Sequence, residues 1–425
     1  MSARAQEHTA PTVAVIGAGV IGLSVALEAQ RRGFRVRLYD REAPDSGNRA
    51  SAGNAGAFAF TDVLPLATPG IMRKAPRWLI DPLGPLSIPP RYAAQIAPWM
   101  LRFWRASWPD RFEAGVAAQS ALMAHSRAAL DRQLDHVGGE ALMQREGQLQ
   151  LYEGEAQFRA SLPEWDLRRV HGIPFDLIES AEAIAEHQPG LSPRFTHAGL
   201  TPTWANVVDP RAWTEHLAQA VLDRGGSRVQ TPVQALQPEA DGAGCRIVTA
   251  DGEDRADWAV VAAGAYSHHL TRTLGEPVPL ETERGYNTTL PAGAFDLRLH
   301  LTFGGHGFVV TKINGGVRVG GAVELGGLKA APNYRRADIL LSKAADFLPG
   351  LKTEGGSKWM GFRPSLPDSL PVIDRASRAP RVLYAFGHGH CGLTQAAGTA
   401  ELIGGLLSGD ETPAIPLDPF RVTRF

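Results

Sequence analysis

Three glycines at Gly-x-Gly-x-x-Gly spacing, Gly17, Gly19 and Gly22, follow directly on the short apolar run Val13 to Ile16. Such a run suits a buried parallel strand. Small residues continue at Ala26 and Ala29, Gly33 ends a segment rich in helix formers, and a second apolar run from Val36 to Tyr39 leads to Asp40. Strand, glycine triplet, helix, strand and terminal acid in that order are the parts of a βαβ dinucleotide-binding unit. Gly17 permits the tight turn, Gly19 lets backbone approach a pyrophosphate, and Gly22 lets helix and strand pack closely. Asp40 can accept both hydroxyls of a ribose and would repel a 2′-phosphate, which argues against NADP. Val20, Ile21 and Arg41 complete the expected contacts of this segment. The segment alone does not separate FAD from NAD.

Composition bounds the rest. The 425 residues carry 43 basic and 44 acidic side chains, a formal charge of −1, so the basic surplus that phosphate neutralisation needs is missing. Cys245 and Cys391 make neither a disulfide framework nor a zinc site, which fits a reducing, cytoplasmic compartment. The nearly uncharged stretch Thr12 to Leu27 is too short to span a bilayer and contains three glycines without a convincing cleavage site. The expectation is a soluble protein, or one attached to a membrane surface. The 46 glycines need an explanation, because glycine costs backbone entropy unless the geometry requires it.

Three further glycine-rich segments supply one. Residues 50–56 read ASAGNAG, residues 257–264 form an apolar strand closing in Ala-Ala-Gly, and residues 386–394 read FGHGHCGLT before a helical segment from about Thr394 to Leu407. A glycine loop opening a helix presents free N–H groups and a positive dipole end to an anionic group. Extended FAD needs such second contacts for its ring, whereas each loop alone reads equally as an ordinary turn. With these motifs the chain resembles the FAD-dependent D-amino acid oxidase and dehydrogenase superfamily. It is most similar to bacterial D-amino acid dehydrogenase small subunits and hydroxy-D-proline dehydrogenases. The likeness runs from Thr12 to Phe425 and also rests on Val208-Asp209-Pro210, Gly361-Phe362-Arg363-Pro364, Pro367 to Pro371 and the Gly-His-Gly-His run at 387–390.

The resemblance implies an α/β fold: a Rossmann-type, glutathione-reductase-like FAD domain interleaved with an α+β substrate domain on an antiparallel sheet. It implies non-covalent FAD held by the first turn and by Ser51, Asn54, Ala55, Gly56, Val233, Ala263, Gly264, Arg363, Gly387, His388, Gly389, His390, Gly392, Leu393 and Thr394. The motif arginine, Arg363, is the expected carboxylate ligand, since a planar, permanently charged fork binds a carboxylate bidentately. Tyr286 is read as a pocket tyrosine or as strand core, and His306, among Gly304, Gly305 and Gly307, as a ligand-reaching histidine or a hairpin turn. Of His388 and His390, at most one is expected to point inward; a hydrogen-bonded structural role fits either. Arg284 reads as a further positive charge for the site or, in preference, as a solvent-exposed one. No metal ligand set and no general base are assigned.

The FAD domain is expected to collect residues 1–63, 200–283 and 355–425, and the substrate domain 113–199 and 284–354. Between them, residues 64–112 crowd prolines with Trp78, Trp99, Trp104, Trp108 and several arginines. That pattern reads as a lid or packed inter-domain helix, or as peripheral membrane contact. The functional expectation is FAD-dependent oxidation of a small D-amino acid by hydride transfer from Cα to flavin N5, with electrons passing to a quinone-type acceptor or oxygen. The alternatives are a dehydrogenase or oxidase of cis-4-hydroxy-D-proline or another secondary amine such as sarcosine, a non-catalytic flavin module, and an NAD dehydrogenase.

Overall fold

The computed structural model describes residues 10–43, 46–73, 79, 84 and 86–425. Trp78, Lys74, Arg77 and the prolines at 76, 82 and 85 lie outside the described residues. The apolar run folds as the strand Thr12–Ile16, the glycine turn opens the helix Val20–Arg31, and Arg35–Asp40 pairs parallel beside the first strand. These begin a six-stranded sheet in the spatial order Ser227–Gln230, Arg35–Asp40, Thr12–Ile16, Trp258–Val261, Ala379–Phe386 and Val372–Ala376. The first five strands run parallel and the last antiparallel. At the turn, Gly17 has φ +110°, a region that L side chains rarely adopt, and a Cβ there would lie 2.3 Å from the Ala262 carbonyl oxygen. A Cβ on Gly22 would lie 1.8 Å from the Gly17 carbonyl oxygen. The helix can therefore start this close to the strand only because neither position has a side chain.

The second sheet has nine strands. Eight follow the order Ser357–Ser365, Glu281–Leu290, Gly316–Glu324, Phe308–Ile313, His300–Phe303, Gln148–Glu153, Phe195–Thr201 and Asp176–Ile178. The strand Leu86–Ser87 pairs parallel to Gly316–Glu324. Pairing along the eight is antiparallel apart from His300–Phe303 with Gln148–Glu153. One face buries a core of Leu149, Leu301, Phe303, Val310 and Val319 under the helix Arg335–Phe347. The described strands thus form two large sheets, each drawing on segments far apart in the chain. Ser357–Ser365, expected with the FAD domain, pairs along Glu281–Leu290 and puts Arg363 on the antiparallel sheet.

The helix Pro109–Val137 also departs from expectation. It buries Ala118, Leu122, Ala129, Leu130 and Leu134 in the core of the parallel-sheet unit. Its partner there is the helix Gly392–Ser408, where the absent side chain of Gly398 leaves room for Ser126. An apolar stripe on a long helix specifies that something covers it, not which of two units does. Before it, the helix Ala93–Ala106 buries Ile96 and Trp99 against Leu325, while Leu101, Trp104 and Trp108 stay exposed. No described helix is long and apolar enough to cross a membrane.

Candidate active site

One cavity of about 680 Å³ connects the first glycine turn with the inner face of the antiparallel sheet. At the turn end it is lined by Gly17, Gly19, Val20, Ile21, Asp40 and Arg41. The Val20 N–H donates to Ser51 Oγ at 3.0 Å, which ties the 51–56 loop to the helix start. Asp40 accepts hydrogen bonds from the Ala18 N–H at 2.6 Å, the Glu42 N–H at 2.8 Å and the Arg49 guanidinium at 3.2 Å. A carboxylate offers about four acceptor sites, so Asp40 retains capacity for a ribose hydroxyl beside these partners. The Arg41 guanidinium stacks over the ring of Tyr266, another lining residue, at 3.7 Å. Val233, Ala263 and Gly264 form the neighbouring wall.

Further in, Ser51, Asn54 and Ala55 line the same space with His388, Gly389, His390, Gly392 and Leu393. Asn54 Oδ1 accepts from the Gly56 N–H at 2.6 Å and its amide donates to the Ser51 carbonyl at 3.0 Å, so the side chain holds its own loop in shape. Gly22, Gly56, Gly387 and Thr394 do not face the cavity. Thr394 acts from behind the wall instead. Its Oγ1 accepts from the Ala59 N–H at 2.9 Å and donates to the Ala57 carbonyl at 3.3 Å, clamping the 57–62 loop to the last helix.

The structure separates the three expected catalytic residues. Arg363 lines the cavity and donates to the Ala322 carbonyl at 3.0 Å, and it forms no ion pair among the described residues. Its guanidinium lies over Gly285, where a Cβ would come within 2.3 Å of Nη2, so the strand leaves room for the fork only by omitting a side chain. Burial lowers its pKa, and the Glu283 carboxylate opposes that shift. Tyr286 borders the cavity, but its side chain goes to the other side of the strand: the residue is 1% exposed and its hydroxyl meets Glu324 and the Asn333 N–H at 3.0 Å. His306 does not reach the cavity. Its Nε2 sits 3.2 Å from Glu153 Oε1 and its ring packs on Phe347, so the side chain turns away from the cavity that its neighbours Gly307 and Phe308 line.

Arg284 corrects another expectation. It is fully buried, donating to the carbonyls of Gly327 at 2.8 Å, Ala331 at 3.2 Å and Ala330, with Glu324 at 3.5 Å. A loop rich in free carbonyls, not solvent, receives the charge.

Several cavity residues carried no sequence signal. Arg318 donates to Thr289 Oγ1 at 2.8 Å and to the Asn54 carbonyl at 2.5 Å, and burial pulls its pKa down to about 10. Arg168 stacks 4.7 Å over Trp165 and donates to the Thr61 and Glu164 carbonyls. Glu283, buried, faces the cavity as the register partner of Arg363 on the adjacent strand. Asp62 meets His390 Nε2 at 3.2 Å; burial works to raise its pKa, but His390 and Arg168 hold it below the usual range. Cys391 first, and then Asp62, hold His390 well above its ordinary pKa. Only position in the fold brings these groups together, since Asp62 and His390 are 328 residues apart.

His388 and His300 are buried neutral histidines. His388 Nε2 bonds Thr399 Oγ1 at 2.9 Å, and neither ring nitrogen of His300 has a protein partner. Burial pushes both pKa values down to about 3. Below pH 6.5 the unfolded chain therefore binds more protons than the fold, so their stabilisation is complete above pH 6.5 and is lost as pH falls toward 3. Urea unfolding at pH 5 should show each histidine costing about 2 kcal/mol relative to pH 7, from about 1.4 kcal/mol per pH unit. In a His300→Leu variant the pH-dependent loss between pH 7 and pH 5 should shrink by that one contribution, about 2 kcal/mol.

The residues present fit FAD. Two helices begin at this cavity with no cap from the N-cap side chain itself, at Gly19 and at Cys391, and apart from the Val20 N–H that Ser51 takes, their first-turn N–H groups suit anionic parts of the cofactor. Thr231, beside Val233, adds a buried hydroxyl without a partner. Residues 12–406 match the DAO family, described as FAD dependent oxidoreductase. The chain belongs to that family. As a DAO-family oxidoreductase it is an FAD enzyme, and close relatives support the placement along its whole length. It is 37% identical over 418 residues to a D-amino-acid oxidase of Bradyrhizobium diazoefficiens, covering 97% of this chain and 98% of the relative. It is 32% identical over 421 residues to a D-amino acid dehydrogenase of Cereibacter sphaeroides, covering 97% and 95%. Among solved structures it is similar to glycine oxidase from Geobacillus kaustophilus, with a TM-score of 0.77, 20% identity and coverage of 98% and 99%. That likeness is one of fold.

Proposed function

We propose that this DAO-family enzyme oxidises D-amino acids at the Cα–N bond to imino acids, and that Arg363 and Glu283 recognise the substrate's two charged ends. The observation that carries this reading is their pairing. A half-buried cation and a buried anion sit opposite each other on adjacent strands, face the same cavity, and form no ion pair with each other. Cross-strand partners point to one face of the sheet, so the pair offers a zwitterion the complementary charge at each end. Arg363 takes the carboxylate through its fork, and Glu283 holds the amine beside it.

Bound FAD supplies the two-electron acceptor for the hydride that leaves Cα. The protein's contribution is position and field. Gly285 leaves the guanidinium its room, the Ala322 carbonyl fixes its angle, and the Glu324–Tyr286–Asn333 contacts stiffen the strand behind it. The relatives' names motivate the D configuration. Anaerobic mixing of the flavin-loaded enzyme with a panel of D-amino acids, including D-alanine, D-proline and cis-4-hydroxy-D-proline, should bleach the flavin absorbance. Rates on D-alanine and D-proline tell whether primary or secondary amines are preferred; no bleaching by any member would refute the reading.

The exposed apolar residues of the helix Ala93–Ala106 and of the turn after it support a second component: peripheral contact with anionic membrane, which would bring a quinone acceptor near. Leu101 is 63%, Trp104 47% and Trp108 45% exposed, and Arg105 lies over the Trp108 ring at 4.7 Å. Aromatic rings with flanking arginines suit the bilayer interface. The enzyme should co-sediment with anionic vesicles, and Trp104→Ser with Trp108→Ser should cut the bound fraction severalfold. Equal sedimentation of wild type and variant would remove the membrane contact.

A further inference from the structure

Three metal-ligating side chains meet at the edge of the cavity, outside the Arg363–Glu283 pair. Asp62 Oδ2 lies 3.2 Å from His390 Nε2, and the ligand atoms of Asp62, His390 and Cys391 all lie within 4.8 Å of one another. Asp62 and His390 line the large cavity, while His390 and Cys391 line a small adjoining pocket.

The segments that bring these donors together are locked to each other. The Thr394 clamp fixes the 57–62 loop to the start of the Gly392–Ser408 helix, the same helix start that carries Cys391. The Cys391 N–H donates to the His388 carbonyl at 2.9 Å, which sets the turn that presents His390 and Cys391 side by side. Behind the thiol, Gln119 Nε2 lies 3.8 Å from Sγ and its Oε1 accepts from Gln395 at 3.2 Å, so the sulfur is oriented from the side away from the cavity. The donors are thus held near ligating positions by contacts that do not involve the substrate groups.

We propose that Asp62, His390 and Cys391 form a binding site for a soft divalent cation of the Zn²⁺ class, and that its occupancy obstructs the substrate cavity. Zinc bonds of about 2.0–2.3 Å in tetrahedral geometry place neighbouring donors roughly 3.3–3.8 Å apart. The Asp62–His390 spacing is already there, and the 4.8 Å limit on the set leaves Sγ about an ångström at most to move. One sulfur, one imidazole and one carboxylate select zinc over magnesium or calcium, which prefer all-oxygen shells. Three protein donors leave the fourth position open to water or to a small ligand in the cavity. Binding releases to buffer the protons carried by the His390 imidazolium and the Cys391 thiol and forms the nitrogen–, sulfur– and oxygen–metal bonds, with no change of oxidation state. His390 and Cys391 are adjacent in sequence and read there as no metal site, because the third donor comes from a remote loop.

Titration calorimetry of the flavin-loaded full chain with ZnCl₂, and separately with MgCl₂, tests the site without requiring turnover. Wild type should bind one Zn²⁺ per chain and show no comparable Mg²⁺ site. Cys391→Ser and Asp62→Asn should each weaken Zn²⁺ binding at least tenfold, flavin content and melting temperature serving as fold controls. If one variant fails those controls, the other decides. Zn²⁺ should also slow turnover of whichever substrate the enzyme accepts, and EDTA should restore it. No stoichiometric Zn²⁺ binding, or equal affinity in wild type and the folded variant, would overturn the site. Binding without slowed turnover would overturn the obstruction. Because the heat of binding is independent of substrate identity, the site can stand or fall separately from the D-amino acid reading.

Discussion

Replacing Arg363 by alanine should lower kcat/KM for D-amino acids by about 10³-fold while the protein stays yellow. The guanidinium is half-buried, faces the cavity and has one backbone partner, so most of its donors are free for a substrate carboxylate. Hydrogen bonds to charged groups are worth about 1.5–3 kcal/mol each, and a bidentate pair about 3–5 kcal/mol, which is a factor of the order of 10³. The loss should appear largely in KM if Arg363 binds substrate and transition state alike, and in kcat as well if the fork also aligns Cα. Arg363→Lys keeps the charge but not the planar fork and should recover only part of the loss. Steady-state kinetics with flavin content measured on the same samples checks this. Unchanged turnover in Arg363→Ala would refute the assignment.

The second large effect is expected at the opposite end of the cavity. Gly17→Ala should abolish stable flavin retention, leaving a colourless or poorly folded chain. At φ +110° an alanine is strained by about 1–3 kcal/mol before any contact is counted. Its Cβ would also sit 2.3 Å from the Ala262 carbonyl oxygen and 3.0 Å from Ala263 Cα, backbone just past the buried strand Trp258–Val261, with no flexible side chain to yield. Relief requires the turn to move away from the cavity, taking with it the N–H groups at the helix start. Flavin-to-protein absorbance after desalting measures the effect, which should be a fall of at least tenfold. Near-stoichiometric flavin in Gly17→Ala would show that the turn does not hold the cofactor.

These two positions were also the most legible in the sequence, for a common reason. The demands on Gly17, Gly22 and Asp40 are local, fixed within one strand–helix–strand unit of about 30 residues. Arg363 belongs to a short motif whose proline fixes its extended backbone. The antiparallel sheet was legible as alternation, but the unit to which a strand or helix attaches was not. Ser357–Ser365 and Pro109–Val137 each found their partner far away in the chain.

The misread residues show where local pattern ends. His306 has the small neighbours that let a side chain reach a ligand, yet the hairpin carries it to Glu153. Arg284 looked like surface because charges usually are, and the carbonyls of the 327–331 loop receive it instead. Glu283, one residue earlier, points to the cavity because successive strand residues face opposite sides of the sheet. Arg168, Asp62 and His390 come from three separate segments, and no periodicity announces that they share one wall.

The charged pair also sets what stereochemistry the enzyme can read. Two fixed contacts, carboxylate to Arg363 and amine to Glu283, leave one orientation of the Cα–H bond toward the flavin for each enantiomer. The most direct measurement is an anaerobic stopped-flow comparison of D- and L-alanine and D- and L-proline on the flavin-loaded enzyme. The account predicts rapid bleaching by at least one D-amino acid and none by its L-enantiomer. Bleaching by L-amino acids alone, or by neither series, would contradict it.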